Sequence, residues 1–410
     1  MVELTDGPAS RAVTHGWRAT PVVARIAIVY IVSRLVTTGL LALAATLSGP
    51  QSRFGEDATI GTFALGWDAQ WYWFVAVHGY PAELPTNEAG QVTENQWAFM
   101  PIYAYLAQWI GTPLGSWGAG AVIISLVAGF FSCWVLFTLL RPRIGDIAAM
   151  WSVVFFASAP LAALFHVGYA ESLFLLWLFL ALWAVDRRRY AWLYLLIPLM
   201  GYTRPGILAF ALFLALHGIH RWVIRRREPL RVGEGVHIVI TGFFAVAIGF
   251  SWQILAAWVT RDPDAYLATE LAWRRNWIPD AQAGFVPGEG FVSASAFWAS
   301  AWGMPEWAGY AGLALLIVGA TAVLLFEPHV RRLGTDIRFW SASYLVYLLL
   351  VFFPQSSIFR LLVPLAPLWG AMAQPRSPWW RGGVLAACLL GQWWWIFHMY
   401  AVASEYWQIP

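Results

Sequence analysis

The chain's chemistry-bearing residues are few, and one stretch holds the densest set. Gly66 to Pro81 reads GWDAQWYWFVAVHGYP, a single carboxylate, Asp68, set among aromatics just beyond the first membrane-length apolar segment. Written as a helix, it places Trp67, Trp71, Phe74 and His78 at i, i+4, i+7 and i+11, one aromatic stripe with Asp68 beside it. Such a helix lies in the headgroup layer with its rings down. A carboxylate held there faces water on one side and lipid on the other, which suits proton transfer on a substrate whose polar head hangs from a lipid tail. The alternative is that Asp68 merely N-caps the helix.

Other polar groups fall at the ends of apolar segments. HVGYAES carries His166, Tyr169 and Glu171, TRPG carries Arg204, and Gln355 and Arg360 flank the start of a late apolar run. Carboxylates and histidine can do acid/base work, whereas arginine offers a planar fork of donors matched to phosphate oxygens. Arg274 and Arg275 join the set on charge alone.

The elements that must position these groups are membrane helices. Of 410 residues, 60% are hydrophobic and 11% charged, far outside the range of a soluble domain. There is no lysine, and the arginines cluster between apolar runs, a pattern of membrane topology and not of nucleic-acid binding. Cys133 and Cys388 sit inside apolar segments, so neither a disulfide framework nor metal-ligand spacing is present. Ala42 and Ala44 have the look of a signal-peptide cleavage site, but the apolar run Ile26 to Leu47 exceeds an ordinary signal core and reads as an uncleaved first span.

Reading on gives about eleven transmembrane helices in a single all-α domain over residues 1–410. The positive-inside rule sets the N-terminus in the cytoplasm and the C-terminus outside, with the arginine clusters on the cytoplasmic side. Residues 48–118 form a first external loop with an interfacial helix and a re-entrant helix at Pro101 to Gly111. Residues 260–306 form a second, helical over Ala265 to Trp277 and mobile over Ala283 to Gly290. Spans two and three are Ala119 to Leu140 and Ile147 to Phe165. Spans four to six, between Leu173 and His217, are short, as helices bordering a water-filled cavity are. Arg34 lies well inside span one, a functional or a pairing arginine. On this topology Asp68, His78, His166, Tyr169, Glu171, Arg204, Gln355 and Arg360 all converge on the external face.

No GxxxxGK[ST] occurs, and no GxGxxG between a strand and a helix. The membrane-proximal acids are read as lacking an Asp-x-Asp, so neither a metal, a nucleotide sugar nor any other cofactor is expected. A transferase built this way takes its donor as a lipid phosphate already on the external leaflet. Paired charges near the bilayer midplane are few, which makes the competing reading, a lipid or polyprenyl-phosphate transporter or flippase, less natural.

The first-loop stretch resembles that of the PIG-V family of mannosyltransferases, in which a Trp-Asp pair is followed by Trp-Tyr and then His-Gly-Tyr. Four further stretches agree in order: FMPIYAYL (Phe99 to Leu106), APLAALFHVGYAESLF (Ala159 to Phe174), TRPG (Thr203 to Gly206) and SIFRLLVPLAPL (Ser357 to Leu368). The lysine-free composition and the length look like a bacterial, actinobacterial member. The resemblance implies a GT-C glycosyltransferase bundle in the plasma membrane. It implies inverting transfer of a mannosyl residue from polyprenyl-phosphate-mannose to an extracytoplasmic glycolipid, polysaccharide or protein acceptor. It gives Asp68 the role of catalytic base and makes Arg204 and Arg360 candidates for the phosphate. Glu171 and His78 would orient hydroxyls, and Trp67, Trp71, Tyr72, His166, Tyr169 and Gln355 would complete the substrate site.

Overall fold

The computed structural model describes residues 19–278 and 284–403, and among these it is built of helices. We label thirteen of them: α1 Val22–Thr46, α2 Asp68–His78, α3 Pro101–Gly111, α4 Trp117–Ala157, α5 Glu171–Asp186, α6 Leu193–Gly201, α7 Ile207–Val223, α8 Val232–Thr260, α9 Ala265–Arg275, α10 Glu289–Ala301, α11 Glu306–Phe326, α12 Thr335–Val351 and α13 Pro378–Ile396. Five stretches, 22–46, 117–157, 232–260, 306–326 and 378–402, are long and apolar enough to cross a membrane. The protein is an all-α, multi-spanning membrane protein. Helices lie where each of the eleven expected spans was drawn, although the tenth is a chain of short turns from Ile358 to Met372.

Spans two and three are two helical arms joined directly at a kink, and we label them together as α4. α4 has 41 residues, about 60 Å if straight, roughly twice the thickness of a bilayer core. It breaks at Gly145, whose φ of 80° glycine adopts without a Cβ clash. Contacts with α1 show that the two arms double back. Tyr30 bonds the carbonyl of Leu126 on the first arm at 2.8 Å, Arg25 bonds Asp146 just past the break at 2.9 Å, and Arg34 reaches Ala157 at the end of the second arm.

That last contact settles what Arg34 does. Its guanidinium donates to the carbonyls of Ala157 (2.5 Å) and Ala162 (2.6 Å) and stands 3.0 Å from His166 Nδ1. The short second arm ends at the depth of Arg34, and its free carbonyls would be unsatisfied in lipid. Arg34 supplies the missing donors.

The core lies between α4, α5, α7 and α12, where Phe156, Phe179, Phe210, Phe213 and Trp340 are fully buried. At one end of this bundle the arginines are largely paired: Arg143 with Asp186, Arg188 with Glu228, and Arg221 with Glu228 (3.0 Å) and Glu234 (3.1 Å). His217 bridges Asp336 (2.7 Å) and Tyr190 (2.9 Å). The other end carries both long loops.

The two loops are docked on each other. Asn95 Nδ2 donates to Thr269 Oγ1 at 2.9 Å, Asn276 donates to Glu94 at 2.6 Å, and Arg275 donates to the carbonyl of Val92. α9 matches the expected helix in the second loop. Part of the Ala283 to Gly290 segment expected to be mobile lies outside the described residues. At its end the expectation fails, because Glu289 and Gly290 open α10. There a Cβ on Gly290 would come within 2.5 Å of the Phe352 carbonyl oxygen, so the helix packs directly on backbone.

Candidate active site

Asp68 is the first residue of α2 and is not its cap. The N-cap is Trp67, held in the left-handed region at φ 54° with no side-chain cap bond. Such a conformation in a bulky residue must be over-determined by its surroundings. Here the indole donates to the Met399 carbonyl at 2.9 Å, and the Arg53 guanidinium lies 4.5 Å from the ring centroid. This replaces both the capping reading of Asp68 and the stripe: Trp67 is pinned inside the protein. Trp71 also turns inward, stacking on Phe99 at 5.7 Å, while Trp73, Phe74 and Val77 are the exposed apolar residues of α2.

With the backbone so fixed, the Asp68 carboxylate pairs with Arg360. Arg360 Nε lies 3.3 Å from Glu171 Oε1, and Arg204 Nη1 lies 2.7 Å from the same oxygen. Two carboxylates and two guanidiniums, with a sum of zero, thus form one chain of charge: Asp68, Arg360, Glu171, Arg204. Each comes from a different element, α2, the turn of helix at Ile358–Leu361, the first turn of α5, and the Thr203–Gly206 turn between α6 and α7. Gly206 makes that turn possible at φ 130°. The Tyr202 carbonyl accepts from Ile102 N–H at 2.9 Å, tying the turn to the first loop.

The cluster is well buried. Glu171 is 3% accessible, Arg204 10% and Arg360 11%, whereas Asp68, at 24%, is the member most open to water. The bonding within it is incomplete: Arg360 Nε, Arg204 Nη1 and Glu171 Oε1 stand at ion-pair distance without forming aligned hydrogen bonds. Tyr169 lies under Arg360, its ring centroid 5.3 Å from the guanidinium carbon. The buried hydroxyls of Tyr169 and Tyr400 are close together, yet neither makes a well-formed hydrogen bond. Tyr72, packed edge-on to Phe99 and Tyr103, completes the wall. A cavity of about 530 Å³ is lined by Phe359 and Leu362, which flank Arg360 in the chain, and by Phe156, Phe165, Trp369 and Trp394; the four charged residues themselves are not part of its lining.

Of the expected residues, Asp68, Tyr72, Tyr169, Glu171, Arg204 and Arg360 come together. His166 does not join them, because its ring is held between Arg34 and Thr38, with Thr38 Oγ1 2.9 Å from Nε2. His78 ends α2 exposed beside Trp73 and Phe74, ten residues or about 15 Å along the helix from Asp68. Gln355 contributes its backbone carbonyl to the turn that launches Ile358. Arg274 pairs with Glu289 at 2.7 Å and holds that carboxyl below the usual carboxylate range by hydrogen bonding, while Arg275 braces the first loop. Trp67 supports Asp68 through the backbone.

The second loop supplies residues that the sequence reading passed over. Glu270 on α9 is accessible but ringed by protein, and this surrounding desolvation pushes its carboxyl up to about 7, with the nearby Tyr266 hydroxyl opposing. Glu270 shares α9 with Trp273, whose ring meets Trp71 of α2 at 5.8 Å. The helical period would have linked Glu270 with Trp273, but no motif singled them out.

The chain does contain an Asp-x-Asp, contrary to expectation: Asp262 and Asp264, just after α8. Asp262 Oδ1 accepts the Asp264 N–H at 2.9 Å in a local turn. Among the described residues no group of three or more His, Cys, Asp or Glu side chains is placed to hold a metal.

No protein-family model matches the chain, and no curated protein matches it. Among solved structures, the Archaeoglobus fulgidus oligosaccharyltransferase, captured tethered to an acceptor peptide containing the NVT sequon, is similar over 91% of this chain at 13% identity, with a TM-score of 0.35. The chain spans about half of that protein, 55% of its length. A likeness this distant decides neither fold nor site.

Proposed function

We propose that the protein is a GT-C-type glycosyltransferase that takes a sugar, mannose by the resemblance of its motifs to the PIG-V family, from a polyprenyl-phosphate carrier and passes it to an extracytoplasmic acceptor. The observation that carries this reading is the buried Asp68–Arg360–Glu171–Arg204 cluster, together with Phe359 and Leu362, which flank Arg360 in the chain and line an apolar cavity of about 530 Å³. A lipid-linked phosphosugar needs that pair of surfaces, cationic forks for the phosphate and a dry cavity for the first part of the tail. The bundle then sits in the plasma membrane with its arginine-paired end and N-terminus cytoplasmic.

In this mechanism the donor phosphodiester, one negative charge, enters a cluster whose own charges sum to zero. Arg360 and Arg204 turn their unaligned donors to its oxygens, and Glu171 keeps both guanidiniums in place. Asp68, released from Arg360 and still reached by water, accepts the proton of the acceptor hydroxyl as that oxygen attacks the anomeric carbon. The bond from the anomeric carbon to phosphate oxygen breaks with inversion. The second negative charge that develops on the leaving phosphate is what the two arginines stabilise most.

The test is to reconstitute the purified protein with labelled polyprenyl-phosphate-mannose and membranes bearing candidate acceptors. Label should pass to an acceptor with the wild type and not with Asp68→Asn. If labelled lipid moves between leaflets with no sugar released, and Asp68→Asn does the same, the protein is a lipid-phosphate transporter and the transferase reading fails.

A further inference from the structure

The two arginines that face the proposed phosphate stand on turns from distant parts of the chain, and α12 touches both turns. The turn that carries Arg360 runs straight into Val363–Leu368, a 3₁₀ stretch with prolines at 364 and 367. In such a stretch each carbonyl accepts from the amide three residues on. Pro364 and Pro367 have no amide hydrogen, so the carbonyls of Leu361 and Pro364 lose that partner. The Leu365 amide does not replace it for Leu361, since it bonds Leu362 at 3.0 Å. Within a membrane bundle these carbonyls need other donors, and α12 supplies them. The Tyr344 hydroxyl donates to the Leu361 carbonyl at 2.8 Å, and the Trp340 indole donates to the Pro364 carbonyl at 2.9 Å. Trp340 and Tyr344 are four residues apart on one helix face, and both side chains are buried.

Tyr344 reaches the second arginine as well. Gly206 lies two residues past Arg204 in the Thr203–Gly206 turn, and a Cβ built on it would stand 3.7 Å from Tyr344 Cε2. One edge of the ring therefore rests on the Arg204 turn, while the hydroxyl on the next ring carbon holds the Arg360 turn. Glu171 links the two guanidiniums at their heads, at 2.7 and 3.3 Å. The turns are thus tied twice, by charge at the heads and by Tyr344 at the backbone. A phosphate needs both forks within its own width, and an error of about 1 Å in such a placement can cost about a hundredfold. We propose that Tyr344 is a positioning residue of the donor site: its hydroxyl on the Leu361 carbonyl fixes the spacing between Arg360 and Arg204 and so sets the affinity for a lipid phosphate. This rests on the transferase reading above and adds to it the residue that holds the two arginines in register. Trp340 anchors the same segment four residues beyond Arg360 and serves as the comparison.

The test uses the full-length protein in detergent. Polyprenyl phosphate is titrated by native mass spectrometry, and hydrogen exchange over residues 358–362 reports the turn in the absence of lipid. Tyr344→Phe removes one hydroxyl and keeps the ring; it should weaken polyprenyl phosphate about tenfold and quicken exchange over the turn. Trp340→Phe, which orphans the Pro364 carbonyl instead, should lower the unfolding temperature at least as much, yet weaken polyprenyl phosphate by at most about threefold. Tyr344→Phe combined with Pro364→Ala gives the Leu361 carbonyl a backbone amide three residues on, and should restore both the affinity and the slow exchange. Wild-type affinity in Tyr344→Phe, equal weakening by Trp340→Phe, or no recovery in the double variant overturns the positioning role while the donor reading stands. Wild-type affinity in Arg360→Gln overturns the donor reading instead, whatever Tyr344→Phe does to the turn.

Discussion

Asp68→Asn separates chemistry from binding at this site. The substitution keeps shape and removes one negative charge from the Asp68–Arg360 pair. Losing a general base costs about 10²- to 10⁴-fold in turnover, or about 3–5 kcal/mol of barrier at 1.36 kcal/mol per decade. Stability should suffer far less. Breaking a buried pair costs about 3–5 kcal/mol when the survivor is stranded, but Arg360 keeps Glu171 at 3.3 Å and water reaches Asp68. We therefore expect a loss of about 1–2 kcal/mol. Donor affinity should hold or tighten, because the guanidinium that must grip phosphate is freed of a competitor. The assay is steady-state transfer from labelled polyprenyl-phosphate-mannose in proteoliposomes, with the donor dissociation constant measured on the same preparation. Turnover within a factor of three of wild type, or a donor affinity that falls in step with turnover, refutes the reasoning.

Three other outcomes follow from the geometry. Glu171→Gln removes the carboxylate shared by Arg204 and Arg360 and strands the buried Arg204, while Arg360 keeps Asp68; it should lower thermal stability more than Asp68→Asn does, by about 3–5 kcal/mol, read by thermal unfolding in detergent. Arg34→Ala should likewise destabilise by about 2–4 kcal/mol, because the carbonyls of Ala157 and Ala162 lose a charged donor; activity per folded molecule should be unchanged, and a proportionate loss would mean that Arg34 belongs to the site. Glu270 is raised to about 7 from an ordinary value of 4.5, so the folded state binds its proton more tightly than the unfolded chain does. Its stabilising contribution is complete below about pH 4.5 and is lost as pH rises through about 7. Glu270→Gln should flatten the pH dependence of stability across that window, and an unchanged slope in denaturant titrations at several pH values would contradict the assignment.

Much of this arrangement was legible in the sequence, for identifiable reasons. Hydropathy located the helices because lipid forces every backbone group to be satisfied within its own segment, and span ends gathered Asp68, Glu171, Arg204 and Arg360 at one face. Periodicity alone misplaced the aromatic stripe: the φ of 54° at Trp67 starts the helix one residue later and sends both Trp67 and Trp71 into protein contacts. His166 was indistinguishable from a site residue because its partners, Arg34 and Thr38, lie more than 120 residues away. The packing of Trp273 on Trp71 could not be read from the sequence, since it depends on how α9 docks on the first loop, a long-range contact made by Asn95 and Thr269. The kink at Gly145 falls between the two expected spans, in the short turn that joins them.

In the proposed donor complex a lipid phosphate lies on Arg204 and Arg360 and its tail runs into the cavity lined by Phe359 and Leu362. The most direct test is an electron-microscopy map of the protein with polyprenyl phosphate. Phosphate density is expected within hydrogen-bond reach of both guanidiniums, with tail density running between Phe359, Leu362 and Trp394. Phosphate density among the arginines at the opposite end of the bundle, with the Asp68–Arg360 pair intact and the cavity empty, would contradict this placement.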